Sequence, residues 1–265
     1  MALKHNSTQY ALIAGGSEGI GEAFARQLAA KGFQLILVAR GLEKLEKVAK
    51  EIEGEFAVNV RLITCDLAAT DATEQIKTAL GDVEVDVLVY NAALSFIGPF
   101  EKDSLEHQQQ IAQANMITPL NMLHHFGGEM LKRKRGSVIL MASLAGFQGS
   151  GFLTVYAASK AFTRILAESL WYEWQAKGVD VIACCAGATS TPNYVKTNPA
   201  ASSFFAPRVQ TPEEVVAECL QKLGKTPSFI TGRGNKVASF IMQRLMPRKM
   251  AIKIMGDTTR KIYRL

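Results

Sequence analysis

The sequence predicts one α/β domain, in which helices cover both faces of a parallel sheet of seven strands. Three observations support this prediction. Apolar runs alternate with segments of helical periodicity, the runs are apolar throughout, and no linker or repeat divides the 265 residues. Strands that alternate with helices form right-handed βαβ units. Strands buried on both faces lack the polar alternation of half-exposed strands, so we expect a doubly wound sheet.

The predicted strands are seven runs rich in apolar and β-branched residues, at 10–15, 33–40, 60–67, 85–92, 136–143, 179–187 and 228–232. The stretches between them include four with helical spacing: EAFARQLAAKG, LEKLEKVAKEIEG, ATEQIKTALGD and EEVVAECLQKLG. Glycine commonly follows the last turn of a helix. We therefore place helix ends at Gly32, Gly54, Gly81 and Gly178.

The composition is that of a globular protein, with 48% hydrophobic and 20% charged residues. No apolar run approaches the roughly twenty residues of a membrane span, and no apolar leader opens the sequence. The cysteines show no CxxC or metal-ligand spacing and are expected to be buried thiols in a reducing environment. We therefore expect a cytoplasmic protein without a metal; the cysteines are Cys65, Cys184, Cys185 and Cys219.

The net charge of +6 is concentrated at the C-terminal end. From Gly232 onward nine basic residues face one acidic residue, Asp257, which gives this segment +8 and leaves −2 for the rest. Because the rest is near neutral, we expect no nucleic-acid partner. We divide the chain into a dinucleotide-binding catalytic domain, 1–232, and a basic amphipathic C-terminal extension packed on it, 233–265.

The turn after the first strand has the features of a dinucleotide site. The segment GGSEGIG places Gly15, Gly19 and Gly21 between a strand and a helix. Residues without Cβ atoms let the backbone approach a pyrophosphate, and the helix N-terminus offers free N–H groups. The Ser17 hydroxyl and the Ile20 amide lie at the same point. The strand–turn–helix context favours a binding site over a plain glycine-rich turn.

The end of the second strand favours NADP(H) over NAD(H). About twenty residues past the glycine turn, an NAD site presents an acid to the ribose 2′-hydroxyl. Here Ala39 stands in that place and Arg40 follows it. An arginine can pair bidentately with a 2′-phosphate. Glu18 in the glycine turn counts against this interpretation, because its carboxylate would repel that phosphate.

These features together resemble the short-chain dehydrogenase/reductase family, from about Tyr10 to Gly232. The family's TGxxxGxG turn is AGGSEGIG here, with Ala14 in place of Thr. Its NNAG motif is YNAA, which keeps Asn91, and its PGxxxT segment is AGATST, which keeps Gly187 and Thr191. The resemblance implies a Rossmann-type fold and a nicotinamide cofactor. It also implies that Asp66, with Leu67 beside it, contacts the adenine and that the Thr189 backbone holds the nicotinamide carboxamide.

The segment YAASK puts Tyr156 and Lys160 on one helix face, with Cβ atoms roughly 5–6 Å apart. A nearby ammonium and the positively charged nicotinamide of an oxidised cofactor both favour a phenolate, so we expect a lowered pKa for Tyr156. By resemblance, Tyr156 is the general acid–base, Ser143 hydrogen-bonds the reacting oxygen, and Lys160 also binds the nicotinamide ribose. The family's fourth catalytic residue matches Asn115.

Asn115 is followed four residues later by Pro119, inside a predicted helix. Because proline has no N–H, the Asn115 carbonyl loses its helical partner and is expected to hold a water. The family's proton relay needs a water near this asparagine. The alternative is a kinked helix without a chemical role.

The loops that surround the substrate in this family are rich in aromatic residues here. An apolar rim predicts a hydrophobic ketone or aldehyde and its alcohol: an acyl chain, a steroid-like ketone or an aromatic aldehyde. The alternative is that these side chains only pack the loops down. They are Phe96, Phe147, Phe152, Tyr194, Phe204 and Phe205.

Two segments, the C-terminal extension and the helix after Tyr156, are candidates for contacts with other molecules. The extension has the pattern of amphipathic helical segments broken at Pro247. It is interpreted as a helix packed on the body, as a lid or exchanged cap over the pocket, or as a peripheral membrane contact. The broad apolar arc of residues 157–177 predicts a homodimer or homotetramer.

Three functions are compatible with these observations. The first is an NADP(H)-dependent oxidoreductase with a tyrosine general acid–base. The second is a catalytically idle NADP-binding sensor or scaffold, against which the four matching catalytic residues argue. The third is a 3-oxoacyl-type lipid reductase that docks on membranes through its C-terminal tail.

Overall fold

The computed structural model describes residues 9–199 and 209–265. It contains a parallel sheet of seven strands in the order β3-β2-β1-β4-β5-β6-β7, which confirms the predicted doubly wound fold. Every predicted strand is present. The strands are β1 Tyr10–Ala14, β2 Gln34–Ala39, β3 Val60–Thr64, β4 Val85–Tyr90, β5 Gly136–Ser143, β6 Val179–Ala186 and β7 Ser228–Ile230.

Helices pack on both faces of this sheet. The helices are α1 Gly19–Ala29, α2 Leu42–Glu55, α3 Ala72–Leu80, α4 Leu105–Ala112, α5 Thr118–Met122, α6 Gly128–Arg133, α7 Thr154–Trp174, α8 Pro192–Lys196, α9 Pro212–Lys222, α10 Arg233–Phe240 and α11 Arg248–Tyr263.

Two apolar cores lie on opposite faces of the sheet. Successive residues of β1 alternate between them: Ala11 and Ile13 belong to the core under α1, α2 and α9, and Leu12 and Ala14 to the core under α3 and α7. Both sets are fully buried. The uninterrupted apolar runs of the sequence follow from this arrangement, because each strand faces a core on either side.

Three of the four predicted glycine stops follow helical segments in a left-handed or otherwise positive-φ conformation. Gly32, Gly81 and Gly178 have φ values of 83°, 61° and 82°. The prediction for Gly54 was wrong, because α2 continues through it to Glu55 and ends where Phe56 turns to extended backbone. Gly54 needs no special backbone angle there.

The helical rod formed by α4, α5 and α6 contains two π-helical turns, at Gln113–Ile117 and Leu123–Gly127. Pro119 opens α5 just after the first of them. The Tyr90 hydroxyl donates a 2.5 Å hydrogen bond to the Ala114 carbonyl within that turn. A π turn displaces the regular ladder and places carbonyls where side chains can reach them. Asn115 lies in this turn.

The C-terminal segment forms α10, a π turn over Ile241–Leu245, and α11. The break is at Pro247, as predicted, with Met246 in extended conformation before it. None of the helices within 9–199 and 209–265 is both long and apolar enough to cross a bilayer. The predicted pocket aromatics Phe204 and Phe205 lie outside the described residues.

Candidate active site

The glycine turn folds tightly over the end of the sheet. The Gly15 amide donates to the Val38 carbonyl at 2.7 Å, and Gly15 and Gly19 have φ values of 85° and 58°. A Cβ on Gly21 would lie 1.8 Å from the Gly15 carbonyl oxygen, and one on Gly15 would lie 2.8 Å from the Ala92 amide. No side chain larger than hydrogen fits at these positions. The turn is therefore a backbone cradle that fits a dinucleotide pyrophosphate at the N-terminus of α1.

Asn91 holds the cradle to the neighbouring strand. Its side-chain amide donates to the Gly15 carbonyl at 3.0 Å, and its backbone N–H donates to the Ala14 carbonyl at 3.0 Å. Ser17 and Ile20 lie in the same turn and are partly exposed. Both residues are therefore only partly covered by the rest of the protein.

The segment after β6 closes the far side of the cradle. A Cβ on Gly19 would lie 2.9 Å from the Thr191 methyl carbon, so these two segments are in contact. Thr191 caps α8 by accepting from the Tyr194 amide at 3.2 Å. Thr189 is buried, and its hydroxyl donates to the Gly187 carbonyl at 3.2 Å. The structure thus brings the predicted nicotinamide-end residues beside the glycine turn.

Asp66 and Leu67 follow β3 at the same edge of the sheet. Asp66 is exposed and accepts from the Ala68 amide at 3.0 Å. Leu67 is buried, and its carbonyl accepts from the Thr118 hydroxyl at 2.9 Å. These residues can form one wall of an adenine site.

Arg40 and Lys44 supply positive charge at the rim near β2. Arg40 is exposed and makes no ion pair with another described residue. Lys44 pairs with Glu18 at 2.5 Å, so the turn's carboxylate is neutralised by a neighbouring ammonium. The objection that Glu18 repels a 2′-phosphate is weakened by this pair.

Ser143, Tyr156 and Lys160 converge at the end of β5 and the start of α7. The Ser143 hydroxyl lies close enough to the Tyr156 phenol to act on the pKa of that phenol and lower it. Ser143 also accepts from the Ala145 amide at 3.2 Å. The Lys160 ammonium lies 5.6 Å from the centre of the Tyr156 ring and donates to the Met141 carbonyl at 2.7 Å. The two hydroxyls therefore lie close together, with the lysine ammonium beside the phenol ring.

Burial controls the acidity of both α7 residues. It raises the pKa of the Tyr156 phenol, an effect that the Ser143 hydroxyl partly offsets and the nearby Tyr263 phenol reinforces. Burial lowers the pKa of Lys160 from 10.5 to about 8. The expectation of a lowered pKa for Tyr156 was wrong for the protein without cofactor, because desolvation of the phenol outweighs the effect of the Ser143 hydroxyl.

Asn115 joins α7 to the loop after β4. Its side-chain amide donates to the Leu94 carbonyl at 2.9 Å and to the Ser159 hydroxyl at 3.0 Å. Its side-chain oxygen accepts from the Leu94 amide at 2.8 Å. With three hydrogen bonds and 2% exposure, Asn115 fixes the loop that borders the catalytic hydroxyls.

Helix α11 lies across the loop that follows Ser143. Arg248 donates to the Phe147 carbonyl at 2.9 Å, and the Arg260 guanidinium lies 5.1 Å from the centre of the Phe152 ring. The Tyr263 phenol lies close enough to Tyr156 to raise the pKa of Tyr156. The last helix therefore covers one side of the catalytic site.

Sequence reasoning missed several residues that build this site. Ser159 and Tyr263 were not singled out, because each acts through a contact between distant segments. Asn235 of α10 is buried and lies against Gly187, where a Cβ would approach its side-chain amide to 2.5 Å. No pattern in the sequence around Gly187 predicts this contact, because Asn235 lies far along the chain. Across the described parts of the chain, no cluster of His, Cys, Asp or Glu is placed to hold a metal.

Comparison with known proteins agrees with this geometry. The short chain dehydrogenase family profile, adh_short, matches residues 9–202. The chain is 34% identical over 236 residues to a 7beta-hydroxysteroid dehydrogenase of Clostridium sardiniense, covering 89% of this chain and 90% of that protein. It is 27% identical over 255 residues to the very-long-chain 3-oxoacyl-CoA reductase-B of Danio rerio, covering 94% and 79%.

Solved structures show the same fold. A structure from a study of 7beta-hydroxysteroid dehydrogenase stereoselectivity has a TM-score of 0.88 and 29% identity, covering 93% of this chain and 96% of the other. A short-chain dehydrogenase from Sphingobium yanoikuyae in complex with NADPH has a TM-score of 0.75 and 25% identity, covering 84% and 87%. With the family profile and the 34% identity, these similarities show that the chain belongs to the short-chain dehydrogenase family and is an oxidoreductase acting on alcohol and ketone groups.

Proposed function

We propose that this chain is an NADP(H)-dependent oxidoreductase that interconverts a hydrophobic ketone or aldehyde and its alcohol. The observation that carries the proposal is the proximity of the Ser143 hydroxyl to the Tyr156 phenol, with the buried Lys160 ammonium 5.6 Å from the centre of the phenol ring. Two neighbouring hydroxyls suit a carbonyl oxygen, which accepts two hydrogen bonds. The catalytically idle alternative gives no reason for a buried lysine to lie behind that pair.

The nicotinamide dinucleotide, when bound, supplies or accepts the hydride. Tyr156 gives its phenolic proton to the carbonyl oxygen during reduction. Ser143 hydrogen-bonds the same oxygen and stabilises its developing negative charge. Lys160, whose pKa is about 8, remains largely cationic at neutral pH and stabilises the phenolate left on Tyr156. Asn115 keeps the bordering loop in place.

NADP(H) is the proposed cofactor rather than NAD(H). Arg40 is exposed at the end of β2, where the acid of an NAD site is missing, and its guanidinium can pair with a 2′-phosphate. Lys44 forms an ion pair with the Glu18 carboxylate, which weakens the repulsion between this carboxylate and a 2′-phosphate. Gly15, Ser17, Gly19, Ile20 and Gly21 would hold the pyrophosphate. The residues proposed to contact the adenine and the nicotinamide end are Asp66, Leu67, Asn91, Tyr156, Lys160, Gly187, Thr189 and Thr191.

A steroid-like alcohol or ketone is the first substrate class that we propose. The rim formed by Phe147, Phe152 and Tyr194 is apolar, and α11 adds Tyr263 beside the catalytic phenol. A rigid polycyclic substrate gains free energy by burying its large apolar surface between these rings. Similarity to 7beta-hydroxysteroid dehydrogenases supports the same class.

A turnover screen tests this proposal. Purified protein is mixed with NADPH or NADH and with a 7-oxosteroid, an aromatic aldehyde or a 3-oxoacyl-CoA, and cofactor absorbance is followed. We expect reduction of the steroid with NADPH, and none with the Tyr156→Phe variant. Cofactor binding without turnover of any carbonyl would overturn the proposal in favour of the idle sensor.

A second candidate is reduction of 3-oxoacyl thioesters at a membrane surface. The specific observation is the similarity to very-long-chain 3-oxoacyl-CoA reductases, together with a basic C-terminal extension that contacts the pocket loop. A long acyl chain needs the same apolar rim. Higher kcat/KM for the acyl thioester than for the steroid selects this candidate.

We also propose that the protein forms a cytoplasmic homodimer or homotetramer through α7. Ile165 and Tyr172 on this helix are exposed by 51% and 76%, which leaves apolar surface for a second copy. Light scattering of the wild type and of Tyr172→Glu tests the assembly. A monomeric wild type contradicts it.

A further inference from the structure

The segment of α10 and the following π turn carries an exposed apolar stripe. Val237, Phe240, Ile241 and Leu245 follow the i, i+3, i+4 spacing of one helix face. Their exposed fractions are 61%, 58%, 43% and 69%. Such side chains scattered singly need no special reason, but four in one row mark an interaction surface.

The segment that carries this stripe has an excess of positive charge. Residues 232–256 contain six basic residues and no Asp or Glu. Lys236 pairs with Glu218 at 3.4 Å, and Arg248 binds the Phe147 carbonyl. Four others make no ion pair with any residue in the described ranges: Arg233, Arg244, Lys249 and Lys253.

The apolar exposure continues on α11. Met250 and Ile254 are four residues apart and exposed by 49% and 39%, with the basic Lys253 beside them. Gly151 and Gly256 mark the opposite contact, where a Cβ on Gly151 would lie 3.4 Å from the Gly256 Cα atom. One part of α11 therefore packs on the pocket loop while another presents apolar and cationic side chains to solvent.

The charge decides which partner fits this surface. A second copy would bring two +8 segments together, and their repulsion opposes self-association here. A nucleic acid would match the charge but leave the apolar stripe in water. A bilayer with anionic lipids satisfies both features, because apolar side chains enter the acyl boundary and cations meet the headgroups.

We propose that the exposed face of residues 237–254, here called the basic apolar face, is a peripheral binding surface for anionic lipid bilayers. This goes beyond the first proposed function and supplies the docking surface that the second candidate needs, and it can be tested without turnover. Docking would bring the pocket loop near the membrane with α11 between them, because α11 contacts that loop directly. Hydrophobic substrates partition into bilayers, so the site would lie close to their local reservoir.

Vesicle co-sedimentation tests the proposal on the full chain without cofactor. The vesicles are phosphatidylcholine alone, or phosphatidylcholine mixed with phosphatidylglycerol. We expect sedimentation with the anionic vesicles at low salt, release at high salt, and little binding to neutral vesicles. Absence of binding to the anionic vesicles overturns the proposal, as does equal binding to both kinds.

Two variants separate the apolar and ionic contributions. Phe240→Asp with Leu245→Asp removes the stripe, and Lys249→Glu with Lys253→Glu reverses two charges. Each is expected to lower the vesicle partition coefficient at least about tenfold. Leu105→Asp, at a 70% exposed position on α4, is the matched control and should bind as the wild type does.

Two further measurements distinguish lipid binding from unfolding and from binding to a soluble acidic partner. Circular dichroism and turnover of a water-soluble aldehyde should be unchanged in the variant that carries both Phe240→Asp and Leu245→Asp, so loss of binding is not unfolding. Retention on heparin without vesicle binding means a soluble acidic partner and overturns the lipid assignment. Vesicle binding by a chain that turns over no carbonyl leaves this inference standing while the proposed function fails.

Discussion

The Ser143 hydroxyl, at the end of β5, lies close enough to the Tyr156 phenol, in the first turn of α7, to lower the pKa of that phenol. This proximity joins two elements that are adjacent in the fold and brings both hydroxyls to one side of the sheet edge. The loop between them, residues 144–153, is covered by α11. The pair is therefore fixed by a strand end, a helix start and a lid-like helix.

The first prediction concerns this pair. Tyr156→Phe removes the transferable proton and should lower kcat by about 10²–10⁴-fold. Ser143→Ala removes one donor to the oxygen and should lower kcat by about 10²–10³-fold. Cofactor binding, followed by fluorescence titration, should persist in both. Tyr172→Phe, at an exposed position of the same helix, should behave as the wild type, and a Tyr156→Phe variant with full activity would contradict the assignment.

The second prediction concerns the stability cost of Lys160. Its pKa falls from 10.5 to about 8 in the fold. Between these values the unfolded chain binds more protons, so wild-type stability rises with pH in that window; below about 8 the penalty for a buried ammonium is complete. Lys160→Met should therefore raise the free energy of unfolding at pH 7 by about 1–3 kcal/mol while turnover is lost.

Denaturant unfolding at several pH values checks this expectation. The gain from Lys160→Met should shrink as the pH approaches 10.5, where the wild-type amine is neutral in the folded state and half neutral in the unfolded chain. Lys177→Met, at an exposed position, is the control and should show no such pH dependence. A variant less stable than the wild type at pH 7 means that the hydrogen bond to Met141 outweighs desolvation.

The third prediction concerns Asn115, whose three hydrogen bonds tie Leu94 to Ser159. Asn115→Ala leaves these buried groups without partners and should cost about 2–4 kcal/mol of unfolding free energy. Since the loop borders the catalytic hydroxyls, kcat should fall with it. Asn121→Ala, on the exposed side of α5, should change neither quantity. Calorimetry and steady-state kinetics on both variants make the comparison, and equal stabilities would refute a positioning role.

The fourth prediction concerns cofactor choice at Arg40. Arg40→Ala should raise KM for NADPH by about 10–100-fold, because a charge-assisted pair with the 2′-phosphate is lost. KM for NADH should change little. Lys47→Ala, exposed on α2, is the control for a general loss of positive charge. If KM rises equally for NADPH and NADH, Arg40 does not contact the 2′-phosphate.

The fifth prediction concerns α11 as a cover for the pocket. Arg260→Ala removes the guanidinium over the Phe152 ring, a contact of about 1 kcal/mol. We expect a severalfold higher KM for a water-soluble ketone and an unchanged Kd for NADPH. Lys261→Ala, exposed on the same turn, should leave both constants as they are. Weaker NADPH binding in Arg260→Ala would place this helix at the cofactor instead.

Local sequence patterns predicted the strands and the glycine turn because those features depend on short-range chemistry. Continuous apolar runs such as the β1 segment indicate burial on both faces, and Gly21 is demanded by the backbone directly beneath it. The prediction at Gly54 was wrong because a glycine alone does not end a helix. Helix α2 continues through Gly54 to Glu55.

Contacts between distant segments were not predictable. The direction of the Tyr156 pKa shift depends on how completely the phenol is desolvated, which the Tyr–Lys spacing does not reveal. The path of α11 to Tyr263 depends on packing between segments that lie far apart in the sequence. The hydrogen bond from Tyr90 to the π turn was also not predictable, because a tyrosine at the end of a buried strand has many alternative partners.

The crowding beneath the glycine turn tells a protein engineer where randomisation is wasted. A methyl group on Gly21 or Gly15 would meet rigid main chain at 1.8 Å or 2.8 Å, and neither neighbour can swing aside. Mutant libraries designed to change the dinucleotide preference should therefore leave Gly15 and Gly21 unchanged. Diversity belongs at the outer positions 40 and 44, whose side chains project into solvent and can change without moving the sheet.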